Sequence, residues 1–232
     1  PSEQLDLEAE LGFVLGNPTQ QGRRVGLDAA GDHLFGVCLV NDWSARDIQA
    51  FESVPLGPFL GKSFATSVSP WVVPIEALEH ARLAPPPRDV ALATYLDDTT
   101  AAPWGLDIEL SVRLNGAEIA RPAARTMYWT AAQMVAHLTL NGASIRPGDL
   151  IASGTVSGPH PSQYGSLIEL TSGGSEAILL PDGGTRSFLE DGDVAVVSAG
   201  VPAAPGRTGL SLGEVVGEVL PALPIRSGQG PR

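Results

Sequence analysis

The chain has 232 residues, 43% hydrophobic and 17% charged, which is enough apolar content for a folded body of one large or two small domains and too much for a disordered one. A formal net charge of −12 leaves no basic stripe to displace phosphate counterions, which excludes nucleic acid as a partner. No apolar run approaches the roughly 20 residues of a membrane helix, and the lone Cys38 cannot form an internal disulfide, so a reducing, cytoplasmic setting is expected.

The chain opens at Pro1 rather than Met and enters a strand-like pattern within five residues, as the interior of a longer protein would. Leu5 to Leu15 alternates apolar and acidic residues, the period of a strand with one face toward something polar. Leu34 to Val40 is a continuous apolar run of strand length that stops at Asn41-Asp42. Ser44 to Phe51 fits a short helix with Ser44 as its N-cap, and Val54 to Lys62, rich in Pro and Gly, fits an irregular loop. Further strands are predicted at Ser69–Val73, Leu106–Leu114, Leu150–Ser153, Ser166–Leu170, Ala177–Leu180 and Val194–Ala199. Asn115-Gly116 and Asp182-Gly183 carry the two-residue hairpin signal. The clearest helix is Thr130 to Leu140, capped by Thr130 and terminated by Asn141-Gly142. The stretch after Pro221 lacks periodicity, and residues 225–232 are expected to be a disordered tail. The pattern as a whole is a mostly β single-domain body with one principal helix.

Two constellations could carry chemistry. Glu8 and Glu10 sit two apart on a strand, so both carboxylates project from one face and need a cation between them or a raised pKa. A solvated edge face is the plain alternative. Asp42, where a buried strand emerges, adds a third carboxylate, and three carboxylates without Cys or His suit a hard ion such as Mg²⁺ or Ca²⁺. In the second, a helix after Ser44 makes Arg46 and Gln49 neighbours at i and i+3, two donors suited to an oxyanion beside Asp42. Arg46 paired to Asp47 or Asp42 as structural glue is the competing reading. Lys62 is the only lysine among fourteen cations, so it either reflects an arginine-biased composition or marks a place where a compact ammonium is required.

Other chemistries find little support. Gly209-Leu-Ser-Leu-Gly213 matches the serine-hydrolase pattern, but no histidine follows His160, and the match reads as a product of a Gly-rich tail. His33 reads as a structural residue, His137 as helix packing or solvent-facing, His80 as surface and His160 as part of an exposed turn. There is no phosphate-binding loop, dinucleotide fingerprint or zinc pattern.

The strings Asn41-Asp-Trp-Ser-Ala-Arg-Asp-Ile-Gln49 and Val54-Pro-Leu-Gly-Pro-Phe-Leu-Gly-Lys-Ser63 are long and rare. With Leu5-Asp-Leu-Glu-Ala-Glu-Leu11, Ser69-Pro-Trp-Val-Val73, Met127-Tyr-Trp-Thr130, Arg146-Pro-Gly-Asp-Leu-Ile-Ala-Ser-Gly-Thr155 and Gly165-Ser-Leu-Ile-Glu-Leu170, they resemble the fumarylacetoacetate hydrolase (fumarylacetoacetase) family. The resemblance runs from about Leu5 to Pro221 and covers that family's C-terminal catalytic domain, placed here at residues 1–224. It implies a mixed β-sandwich roll, a homodimer and a site for a divalent ion, Ca²⁺ or Mg²⁺. Glu8, Glu10 and Asp42 fall on family metal ligands; a fourth, an Asp, lies upstream of this chain, as does the catalytic histidine. Arg46, Gln49 and Lys62 fall on the group that stabilises the departing carbanion, with Arg46 and Gln49 also touching substrate. Thr155 falls on a substrate contact and Glu169 on the carboxylate that orients the histidine. Lys62 and Thr66 fall where members hold a second, structural Mg²⁺.

The implied reaction is hydrolysis of a carbon–carbon bond in a small diketo acid, 4-fumarylacetoacetate, to fumarate and acetoacetate, the last step of tyrosine and phenylalanine breakdown. Ser53 stands where members usually have Tyr, and Phe51 where they have Trp, which bears on substrate identity. Relatives that isomerise, hydrate or decarboxylate keto acids with a similar acidic site are one alternative. A metal-binding scaffold, inert for lack of its base, is another.

Overall fold

The apolar runs become two long paired strands. In the computed structural model, which describes residues 1–99, 102–203, 205 and 208–223, β1 (Leu5–Asp6) leads into β2 (Ala9–Leu15), which pairs antiparallel with β3 (Leu34–Asp42). The two-residue period of a strand puts Leu7, Ala9, Leu11, Phe13 and Leu15 into the core and Asp6, Glu8 and Glu10 on the opposite face. β4 (Ser44–Ala45) pairs with β1 and runs straight into α1 (Arg46–Glu52), and α2 (Leu60–Ser63) follows. β5 (Thr66–Val68) and β6 (Val73–Pro74) pair with successive parts of β3.

The short pair β7 (Arg82–Leu83) and β8 (Gly105–Leu106) precedes the hairpin of β9 (Glu109–Leu114) and β10 (Ala117–Ala120). That hairpin turns on Asn115 and Gly116, whose φ values of 52° and 82° match the twist of paired strands. α3 (Ala131–Leu138) is capped by Thr130 in a reciprocal box with Gln133. β11 (Leu150–Ala152) pairs with β2, α4 (Leu167–Leu170) follows, and β12 (Ile178–Leu179) pairs with β13 (Thr185–Arg186). β14 (Val194–Val201) and β15 (Leu210–Glu218) complete the second sheet, ordered β10-β9-β14-β15; the first is ordered β11-β2-β3-β5. Leu11 and Leu39 of one sheet and Leu110, Val112, Leu114 and Val197 of the other belong to one buried cluster. Burial of such a side chain stabilises by about 1.5–3 kcal/mol. The architecture is the expected mostly β body with few helices.

Several local expectations are corrected. Ser44 does not cap a helix: it pairs with Asp6 as strand, α1 starts at Arg46, and the Ser44 hydroxyl donates to the Asp42 carbonyl instead. The strand expected at Leu5 to Leu15 breaks at Leu7 and Glu8, whose amides donate to the Asp6 and Asn41 side chains. The strand placed at Ser69–Val73 is instead mostly the gap between β5 and β6, with only Val73 in a ladder, because Pro70 has no N–H to pair and the Ser69 hydroxyl takes the Leu39 amide. Leu106 to Leu114 is interrupted where the Asp107 amide turns to the Ala81 carbonyl. The Val54 to Lys62 loop ends inside α2. Ser166–Leu170 is a turn of helix rather than a strand, since the Asp6 carboxylate takes the amides of Leu167 and Ile168. Gly209 to Gly213 opens β15 and is no tail. The tail expected at 225–232 lies outside the described residues.

Candidate metal centre

The even-numbered face of β2 and the end of β3 meet at a cluster of acids. Glu10 projects from β2, Glu8 from the break just before it, and Asp42 from the last position of β3, where its amide donates to the Glu8 carbonyl at 3.2 Å. One oxygen from each of the three carboxylates lies within 4.8 Å of the others. Glu10 is 2% exposed and the Glu8 side chain 12%, so a solvated edge face is excluded.

Two cations wall the cluster. Arg46, the first residue of α1, places Nη1 at 2.8 Å from Glu8 Oε1 and 3.0 Å from Gln49 Oε1, its i+3 neighbour. Its Nε and Nη2 go to Asp6 at 2.9 and 2.8 Å. The structural pairing anticipated for Arg46 is thus with Asp6 and Glu8, not with Asp47 or Asp42. Asp47 instead accepts from Ser2 and Glu3. Lys62 Nζ, brought in by α2, lies 2.6 Å from Glu8 Oε2, 3.3 Å from Asp42 Oδ2 and 2.7 Å from the Ser44 hydroxyl. The approach of α2 to α1 depends on Gly61, where a Cβ would sit 2.8 Å from the Gln49 amide nitrogen and 3.1 Å from the Ala45 carbonyl oxygen.

Charge is unevenly balanced. Burial pushes the Glu8 carboxyl up, but the hydrogen bond and charge of Lys62, and then Arg46, outweigh it and hold Glu8 below the ordinary range. Glu10 has no such partner: burial, then a hydrogen bond with Glu8 and the charges of Glu8 and Asp42, push it up to about 8, opposed by the Gly154 amide. Asp42 is raised by burial and by Glu8, against Lys62. Arg46 is shared with Asp6, so three carboxylates face little more than one free positive charge. That residual negative charge, all on oxygen, fits a hard divalent cation.

The remaining predicted residues surround this centre. Thr66 is exposed on β5, opposite Asp42 in the ladder. Thr155 is half-buried and follows Gly154, whose amide donates to Glu10 Oε2 at 3.0 Å. Glu169 on α4 accepts at one oxygen from the hydroxyls of Ser157 at 2.7 Å and Ser166 at 2.6 Å, and Ser166 bridges to Glu8 through the backbone. Glu8, Glu10, Asp42, Arg46, Gln49 and Lys62 therefore form one continuous network, with Thr66, Thr155 and Glu169 at its edge. His33 bonds the Asn17 carbonyl in a structural role, and His137 stacks on Tyr95 at the exposed surface of α3. Sequence reasoning missed Asp6 and Ser44 as partners of the two cations. The signal for Asp6 was present, since it continues the alternation of Glu8 and Glu10 by one step.

Residues 1–219 match the family model described as Fumarylacetoacetate (FAA) hydrolase C-terminal. The chain is 45% identical over 228 residues to the fumarylacetoacetase of Rattus norvegicus, covering 96% of this chain and 54% of that protein. It is 47% identical over 232 residues to the fumarylacetoacetase of Caenorhabditis elegans, again over 96% and 54% of the two. The chain thus spans about half the length of these curated relatives. Its fold is like that of a fumarylacetoacetate hydrolase from psychrophilic Exiguobacterium antarcticum, with a TM-score of 0.59 and 21% identity over 94% of this chain and 57% of that one. A fumarylpyruvate hydrolase from Pseudomonas aeruginosa, solved in complex with Mn²⁺ and pyruvate, gives a TM-score of 0.58 and 19% identity over 95% and 68%.

Proposed function

The chain belongs to the fumarylacetoacetate hydrolase family, through that family's C-terminal domain, and on this premise we propose that it is the catalytic domain of a divalent-metal-dependent hydrolase that cleaves a carbon–carbon bond in a diketo acid, 4-fumarylacetoacetate. The observation that carries the reading is the convergence of Glu8, Glu10 and Asp42 against Lys62, Arg46 and Gln49.

Glu8, Glu10 and Asp42 are the residues to hold Mg²⁺ or Ca²⁺. When bound, such an ion supplies Lewis acidity toward a carbonyl oxygen of the substrate. The leaving group is a carbon, and its expulsion is feasible only if the electron pair of the broken bond is spread onto oxygen as an enolate. Lys62, Arg46 and Gln49 supply N–H donors for that oxygen, in a site walled by buried side chains where such donors are worth more than in water. Lys62 directs donors to Glu8, Asp42 and Ser44. Those donors turn to an enolate once Glu8 and Asp42 are neutralised otherwise. The water that adds to the carbonyl gives its proton to a histidine that Glu169 orients, contributed in the family by sequence upstream of this stretch. The two serine hydroxyls on one oxygen of Glu169 leave its other oxygen available for that contact. Thr155, beside the Glu10 contact of Gly154, is read as a substrate contact, and Thr66 with Lys62 as the flank of a second, structural Mg²⁺ site.

The parent protein is read as a homodimer acting in tyrosine and phenylalanine breakdown in the cytoplasm. Support for association comes from the stretch that runs from α1 through the connecting loop to just past α2, where Phe51, Val54, Leu56, Phe59, Leu60 and Phe64 are all exposed, a concentration of apolar side chains that suits an interaction face.

The test follows the enol absorbance of 4-fumarylacetoacetate with the protein as the cell makes it, before and after chelation. Turnover lost on chelation and restored by Mg²⁺ or Ca²⁺ is expected. Turnover indifferent to chelation contradicts the metal's role, and no turnover with any divalent ion leaves the inert metal-binding scaffold as the better reading.

A further inference from the structure

Asp6 has no solvent exposure, yet its carboxylate collects five donors. Oδ1 accepts from the amides of Leu7 at 2.7 Å and Leu167 at 2.8 Å. Oδ2 accepts from the Ile168 amide at 3.0 Å and from Arg46 Nε and Nη2 at 2.9 and 2.8 Å. These partners lie in three separate segments, the break after β1, the start of α1, and α4, the last 161 residues away. A buried carboxylate without such partners would be strongly unfavourable.

We propose that Asp6 is a positioning residue that sets Arg46 and Glu169 in register with the acid cluster, an inference that rests on the reading of Arg46 and Glu169 given above. The guanidinium is a rigid planar fork. Once Nε and Nη2 are fixed on Asp6, the third nitrogen, Nη1, has only one place to go, and that place is between Glu8 and Gln49. On the other side, α4 is a single turn of four residues, too short to hold its own phase. Its first two amides are held by Asp6, and Glu169 is the next residue along. One carboxylate thus sets the position of a donor on one flank of the site and a carboxylate on the other. Stability alone would not require this arrangement, because apolar side chains of similar volume often replace a buried ion pair without loss.

Asp6→Asn keeps the shape but brings an NH₂ group against either the α4 amides or the Arg46 fork, so one flank must let go. The test measures kcat, KM and Mn²⁺ affinity in the protein as the cell makes it, below the melting temperature of every variant. Asp193→Asn is the control. It breaks another buried ion pair, with Arg186, and touches none of the site residues.

Asp6→Asn is expected to lower kcat at least thirtyfold with KM within threefold, and to weaken Mn²⁺ binding about tenfold, since a negative charge is lost beside the cluster and Arg46 is left uncompensated. Asp193→Asn, destabilised to a similar degree, is expected to change none of the three by more than twofold. A kcat for Asp6→Asn within twofold of the parent overturns the proposal, as does an equal loss of kcat in the control. If Asp6→Asn does not fold, Asp6→Glu decides in its place: it keeps the charge and displaces both partners by a methylene, so kcat must fall while the ion pair survives. If the parent protein does not cleave the diketo acid, the reading of the reaction fails, and the Mn²⁺ arm still decides for Asp6. Weaker binding confined to Asp6→Asn supports the proposal, and unchanged binding overturns it.

Discussion

Replacing Glu10 by Gln should stabilise the cation-free protein while abolishing tight cation binding. Glu10 is 2% exposed and lies within 4.8 Å of Glu8 and Asp42 through its nearest oxygen. Two like charges at that separation repel by about 3.5 kcal/mol at an effective dielectric constant of 20. Lys62 neutralises much of Glu8 and Asp42 but makes no contact with Glu10, so repulsion from one uncompensated neighbour is the relevant magnitude. The parent protein relieves part of it by keeping a proton on Glu10. A gain of about 2–3 kcal/mol remains for Gln, which can still accept the Gly154 amide through its own carbonyl. At about 2–4 °C per kcal/mol for a chain of this size, Tm should rise by about 4–12 °C in the presence of chelator. The same Coulomb figure, lost from an attraction instead, weakens Mn²⁺ binding by at least about a hundredfold. Scanning calorimetry with and without chelator, together with isothermal titration of Mn²⁺, measures both. A Glu10→Gln protein with unchanged or lower Tm in chelator, or with parental Mn²⁺ affinity, would refute the electrostatic account of the cluster.

Lys62→Met should lower kcat by about 10²–10³-fold, the usual cost of losing one donor to a developing oxyanion, with Mn²⁺ affinity retained or increased because a competing cation has gone; steady-state kinetics and calorimetry check the pair. Asp193 is 2% exposed and accepts from Arg186 and Asn115; burial raises its pKa, but these bonds and the Glu190 amide hold it below the ordinary aspartate range. The folded state therefore binds that proton less readily than the unfolded one, so the contribution is present above the ordinary aspartate pKa and is lost as pH falls through the folded value. Asp193→Asn should cost about 3–5 kcal/mol at neutral pH and flatten the acid limb of a urea-denaturation pH series. Thr130→Ala removes the α3 cap and should cost about 0.5–2 kcal/mol by urea denaturation.

The acid cluster was legible because a two-residue period and a strand end are local signals: Glu8 and Glu10 had to share a face, and Asp42 had to emerge where the apolar run stopped. Arg46 and Gln49 were legible as an i, i+3 pair, and Lys62 as the chain's single lysine. What was not legible depends on partners distant in sequence. Asp6 looks like one more acid in an alternating run until α4, 161 residues on, supplies its amides. Ser44 has the chemistry of a cap, but pairing with β1 holds it extended. A helix of four residues such as α4 has no period to detect, so Ser166–Leu170 resembles a strand. The β15 pattern was hidden by Gly209, Gly213 and Gly217, yet two of these make room for aromatics: a Cβ at Gly213 would meet the Trp71 ring at 2.8 Å, and one at Gly217 would overlap the Trp43 ring.

The central claim is that Glu8, Glu10 and Asp42 hold one hard divalent ion. Anomalous diffraction from crystals grown with Mn²⁺ reads it directly. The account predicts a single strong peak bounded by oxygens of all three carboxylates, at about 2.0–2.6 Å, with Lys62 Nζ moved off Glu8 and Asp42. A peak bound by other residues, or a cluster still closed by Lys62 at saturating Mn²⁺, would contradict it.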